Sequence, residues 1–200
     1  MPGTVRFQLG ALVVATDGLC GVVKGLSVDP SVPRVVHLEV EPEHRIGLGR
    51  LVPVELVCQV EHDAGDGIDL DCDLAAFEAL PSAETSEVVE GAQVAYVPFY
   101  LRSAPPPLRL EVHESVPKGE TGLQSGVPVS GTDGEIGKLA GFDVELPRCR
   151  VARVLVNEAR FPWGHRTVAL PKTCVVGFGN GVEVNLTVEE AAKVASAQGS

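Results

Sequence analysis

Hydrophobic and polar residues alternate along this chain in short runs, and Gly, Pro, Asp or Asn punctuate them. That two-residue period marks strands that bury one face. In Arg34-Val35-Val36-His37-Leu38-Glu39-Val40-Glu41, Val36, Leu38 and Val40 fall on one face and His37, Glu39 and Glu41 on the other. The same reading predicts strands at 13–14, 20–28, 51–54, 57–61 and 67–72, then at 127–130, 135–144, 151–157, 166–170, 174–178 and 182–185. Asp17-Gly18 and Asp133-Gly134 sit between apolar runs, a strong hairpin signal because glycine accepts positive φ at little cost. Pro53 lacks an amide donor, which places it at an edge or a corner. Only 73–80 and 187–197 read as helix. Thr187 is placed to cap the second, with Glu189 and Glu190 in its first turn, where the helix dipole favours negative charge.

The order of these elements occurs twice. Thr16-Asp17-Gly18 and Thr132-Asp133-Gly134 stand 116 positions apart, as do Gly21 and Gly137. Leu51-Val52-Pro53 matches Ala169-Leu170-Pro171 at an offset of 118, and Ile68-Asp69-Leu70 matches Val182-Glu183-Val184 at 114. Such drift is what loop insertions and deletions produce, so the chain reads as a tandem duplication. Five or six short strands per copy suggest a small closed barrel, which removes the exposed edges of an open sheet.

An Asp-Gly-x-x-Gly hairpin, an extended strand ending in a loop, a strand carrying a central Pro and a last strand before a short helix together resemble the PRC-barrel domain. The second copy is the closer match. Glu158-Ala159-Arg160-Phe161-Pro162-Trp163-Gly164-His165-Arg166-Thr167-Val168-Ala169-Leu170-Pro171 looks like the family's Trp-Gly loop leading into its Pro-bearing strand, whereas Glu43 to Arg50 in the first copy has no tryptophan. The resemblance implies an all-β chain with little helix: barrel 1 over 1–80, a partly ordered strap over 81–122, and barrel 2 with a C-terminal helix over 123–200. It also implies a non-enzymatic adaptor module, or, from the family's ribosomal branch, an RNA- or ribosome-associated maturation factor. Fold analogy is a weak warrant for either.

The strap holds Ala104-Pro105-Pro106-Pro107, both tyrosines and one phenylalanine within Val94 to Leu101. Aromatics concentrated in this way suggest packing on the barrels or docking of a partner. Leu108 to His113 alternates like a strand and is placed to extend a barrel edge.

Charge narrows the partners. Residues 1–80 carry 13 acidic and 5 basic side chains, 81–122 carry 6 and 3, and 123–200 carry 8 and 8, for a net charge of -11. A nucleic-acid binder needs a basic face to displace phosphate counterions, so nucleic acid is disfavoured. No apolar run reaches the roughly 20 residues of a membrane-spanning helix, and Met1 to Gly10 lacks a signal-peptide core. The expected setting is cytoplasmic, the expected partner an unidentified protein, with a homo-oligomer left open. Cys20, Cys58, Cys72, Cys149 and Cys174 are odd in number and form no Cys-x-x-Cys pair. They read as small buried hydrophobes in a reducing compartment, not as a disulfide framework or zinc site.

Reactive chemistry finds little footing. Asp69, Asp71 and Asp73 alternate, but counting an EF-hand loop from Asp69 puts Leu74 and Leu80 where Gly and Glu are needed. A solvated acidic face is the simpler reading, and a metal- or small-molecule-binding barrel stays a third alternative. His37, His44, His62, His113 and His165 show no metal-ligand spacing. Gln124-Ser125-Gly126 and Gly25-Leu26-Ser27 do not match a nucleophile motif, and the glycines of 177–181 lie between strands where a phosphate loop would open a helix. No catalytic, cofactor or metal residue is therefore assigned. The candidate partner interface is Phe161, Trp163, His165 and Arg166, with the basic pair Arg148 and Arg150. Trp and Arg are enriched at interface hot spots because they bury large area with a polar handle. Arg148 and Arg150 flank Cys149 and would share one face of a strand, available to an acidic partner or to the first barrel.

Overall fold

The computed structural model describes residues 3–42, 49–58, 67–90, 108–114, 116–158 and 167–198. Strand dominates and helix is scarce, in a curled mixed sheet. The first half comprises β1 (Thr4–Gln8), β2 (Leu12–Ala15), β3 (Gly18–Asp29), β4 (Arg34–Glu41), β5 (Arg50–Pro53), a 3-10 turn at Val54–Leu56, β6 (Gly67–Asp69) and α1 (Leu74–Glu78). A ribbon of β7 (Glu84–Glu90) and β8 (Leu108–Glu114) comes next. The second half comprises β9 (Thr121–Gln124), β10 (Pro128–Ser130), β11 (Glu135–Glu145), β12 (Arg150–Glu158), β13 (Thr167–Pro171), a 3-10 turn at Lys172–Cys174, β14 (Val175–Phe178), β15 (Val182–Val184) and α2 (Val188–Gln198).

The two halves pair alike at corresponding places. Val13 lies beside Ile68 in the parallel β2–β6 pair, and Val129 beside Val182 in the parallel β10–β15 pair. Asp17 accepts a 2.8 Å bond from the Leu74 amide at the start of α1; Asp133 accepts one of 2.8 Å from the Val188 amide at the start of α2. The aspartate of each Thr-Asp-Gly turn thus satisfies an otherwise orphan helix donor. Asp73 also caps α1 through Ala76, while Thr187 and Glu190 form a reciprocal capping box on α2. These bonds to Thr187 and its hydroxyl hold the Glu190 carboxyl below its ordinary pKa.

The sequence predicts two barrels in tandem, and the hydrogen bonding links the two halves through exchanged strands. β1 belongs to the first half by sequence but pairs with β11, setting Phe7 opposite Phe142. β9 opens the second half but pairs with β3, setting Leu123 opposite Leu26. Each half therefore gives its leading strand to the other. At the seam Arg34 faces Arg150, flanked by bonds from Val35 N to Cys149 O (3.0 Å) and from Val151 N to Pro33 O (2.9 Å). Among the described residues the result is one 13-stranded sheet and one main apolar core, with Phe7 and Val154 at 0% exposure and Val23 at 1%.

Two further expectations change. The regular alternation in β4 slips at Val36, because Ser27 pairs with His37 while Val28 pairs with Val35, leaving Val36 as an unopposed bulge residue. Val35 is consequently buried and Val36 only partly so. β8 pairs with β7 in a separate two-stranded ribbon, not with a barrel edge. The aromatic run at 94–101 lies outside the described residues.

Gly21 and Gly137 show why the second glycine of each Asp-Gly-x-x-Gly is required. A Cβ at Gly21 would overlap the carbonyl oxygen of Glu41, and one at Gly137 that of Asn157, at matching places in β3–β4 and β11–β12. Gly137→Ala is expected to lower stability by about 2 kcal/mol or more, read from a urea midpoint that shifts without a change in slope.

Candidate functional site

Two clusters stand where the exchanged strands meet their hosts. Among the described residues, the buried polar side chains are Ser27 at 5% and Asp143 at 2% exposure. They stand 116 positions apart in corresponding strands, and so do the residues opposite them, His37 and Arg153.

In the second half, Asp143 on β11 sits between two arginines. Arg6 of β1 donates from Nε at 2.8 Å and from a terminal nitrogen at 3.3 Å, and Arg153 Nε of β12 lies at 3.3 Å. The bond to Asp143 raises the Arg6 pKa. A buried carboxylate needs such partners, since an isolated charge would be expelled from the interior.

In the first half the polarity is inverted. Ser27 Oγ donates to Glu120 Oε2 at 2.5 Å and accepts from the His37 backbone amide at 3.1 Å. His37 Nδ1 lies 3.0 Å from the same Glu120 oxygen and 3.2 Å from Ser27 Oγ. Nδ1 must carry a proton to bond the carboxylate. Glu120 immediately precedes β9, so the cluster fastens that strand to β3 and β4. The residue types are those of a nucleophilic triad, but the connectivity differs. A triad presents one imidazole nitrogen to the hydroxyl and the other to the carboxylate; here both contacts use Nδ1, and the serine proton is directed at Glu120. Beside Ser27, a cavity of about 20 Å³ is lined by Glu39, Leu51, Val116 and Gly122 among others. That is room for roughly one water.

Of the sequence-derived interface, Phe161, Trp163, His165 and Arg166 lie outside the described residues. Arg148 and Arg150 are described, and both are exposed. The expected strand alternation around Cys149 does not hold: Arg148 occupies the turn, β12 begins at Arg150, and Cys149 adopts φ 48°. Of the two alternatives for the pair, Arg150 does meet the first half, but at Arg34 and not at an acid.

The cysteines are free thiols. Burial pushes the Cys20 thiol from 9.0 up to about 11, and it also raises Cys149. Such thiols remain protonated near neutrality and are poor nucleophiles. Cys58, Cys72 and Cys174 are only partly buried, so the reading of every cysteine as an interior residue holds for Cys20 and Cys149 alone. No group of three His, Cys, Asp or Glu among the described residues is placed to hold a metal, and Asp73 is engaged as the α1 cap.

No family model matches the chain, and no curated protein matches its sequence.

Proposed function

We propose that the chain is a non-catalytic protein-interaction module built from two PRC-like units that arose by duplication and share their first strands. The observation that carries this reading is the use made of the two buried polar positions. Ser27 and Asp143 direct their hydrogen-bonding capacity to residues that bind the exchanged strands, and the cavity beside Ser27 has the volume of one water. The interior serves cohesion, which leaves recognition to the surface. The exposed Arg148 in the turn and Arg150 at the start of β12 supply hot-spot residue types there, and the sequence Phe161 to Arg166 adds Trp and Arg to the candidates. In this reading the protein acts in the cytoplasm on a protein partner, and its acidic first half repels nucleic acid.

A tagged pull-down from the native cell with Trp163→Ala as comparison tests the reading. The expected result is a captured protein lost from the variant, with the unfolding midpoint moved by no more than about 2 °C, near half a kcal/mol for a chain of this size. A variant that unfolds, or a wild-type protein that captures nothing, counts against it. Association with RNA that falls steeply with salt and is lost on Arg148→Ala with Arg150→Ala would favour the maturation-factor reading instead.

A further inference from the structure

The row of charges across the seam is Asp29, Arg34, Arg150, Glu145, traced through successive cross-strand pairs. The two arginines meet in the middle. Their flanking backbone bonds, from Val35 to Cys149 and from Val151 to Pro33, make Arg34 and Arg150 a non-hydrogen-bonded pair. In such a pair the α-carbons approach to about 4.5 Å and the side chains share one face. Like charges directly opposite each other are destabilising.

The outer carboxylates do not fully offset this. Asp29 stands 3.7 Å from Arg34 Nε, and its own pKa is lowered first by Ser31, whose hydroxyl donates to it at 2.6 Å. Glu145 lies 4.0 Å from Lys172, and Arg150 has no ion pair within 4.0 Å among the described residues. Glu55 also acts electrostatically on Cys149, between Arg148 and Arg150. Arg34, Arg148 and Arg150 are all exposed.

We propose that Arg34 and Arg150, with Arg148 beside them, form a receptor for the carboxylates of an acidic segment on a protein partner. Two guanidiniums from adjacent strands offer paired forks that match carboxylate geometry. A bound carboxylate relieves the repulsion that the free protein bears at this place. The net charge of -11 opposes a long polyphosphate over the whole surface, whereas a short acidic segment engages the seam locally. Because one arginine comes from each half, the ligand also clamps the halves together. The proposal rests on the interaction-module reading and names the partner's chemistry.

The test is fluorescence anisotropy at low salt with a labelled ten-residue peptide carrying six glutamates. Controls are its glutamine counterpart and a ten-nucleotide single strand. Wild-type protein is expected to bind the acidic peptide alone. Arg34→Gln and Arg150→Gln should each weaken binding about tenfold, the scale of one charge-assisted bond, and Arg150→Glu should abolish it. In the absence of peptide, Arg150→Gln should leave the unfolding midpoint unchanged or raise it. Undiminished binding by the double glutamine variant, no binding by wild type, or tighter binding of the oligonucleotide overturns the proposal. So does a lowered midpoint in Arg150→Gln, since Arg150 would then be structural. A protein that still captures its partner but ignores the peptide loses this site and keeps the interaction role, whereas one that captures nothing loses the interaction role itself.

Discussion

Replacing Arg6 and Arg153 together by methionine is expected to cost about 3–5 kcal/mol, the range for stranding a buried charge without its partners. For a chain of 200 residues this lowers the unfolding midpoint by about 10 °C. The size of the effect comes from where the charges sit. The Asp143 side chain is 3% exposed, while Arg6 and Arg153 are 57% and 49% exposed. Arginines that lose Asp143 can turn to water; Asp143 cannot. Asp143→Ala alone should therefore cost less than the double change. Adding Asp143→Ala to the double variant should restore part of the loss, because no buried charge then remains. Thermal unfolding of the single, double and triple variants reads this directly, and a triple variant no more stable than the double would remove Asp143 as the reason for the arginines.

Phe7→Ala is the second large effect. Phe7 is 0% exposed and stands opposite Phe142, which in turn meets Phe178 edge-on with ring centroids 6.1 Å apart. Truncating such a side chain leaves a cavity and typically costs about 3–5 kcal/mol. The residue belongs to the first half by sequence, yet the cavity opens in the packing of the second. Chemical denaturation gives the magnitude, and a loss below about 1 kcal/mol would mean that β1 is not an integral strand.

Much of this fold is legible in the chain, and the exceptions share a cause. The Asp-Gly turns, the places of β3, β4, β11 and β12 in the chain and both helices are local signals that the structure obeys. β1 alternates as Thr4-Val5-Arg6-Phe7-Gln8, but its partner is β11, and nothing in a local pattern names a strand so distant. β9 is four residues long and contains Gly122, a weak strand former. The 3-10 turns after Pro53 and Pro171 fall in or beside stretches that read as strand, because proline restricts its own φ and leaves the next residues free to turn.

The polar clusters escape for a related reason. Ser27, His37 and Glu120 share no motif spacing, and neither do Arg6, Asp143 and Arg153. One signal is present: aligning the repeats sets Leu26-Ser27-Val28 against Phe142-Asp143-Val144, a polar residue inside an apolar run at the same place twice. Its meaning depends on the strands arriving from the opposite half. Arg34 and Arg150 likewise align at 116, but that each is the other's neighbour emerges only from the seam.

Residue-resolved hydrogen exchange on wild type and Phe7→Ala bears most directly on the interlocking of the halves. If each half is completed by a strand of the other, the slowest amides of β3–β4 and of β11–β12 report one common unfolding free energy. That value should then fall by the same amount in both places when Phe7 is truncated. Loss of protection confined to β11–β12, with β3–β4 unchanged, would mean two units that fold independently, and would contradict the account.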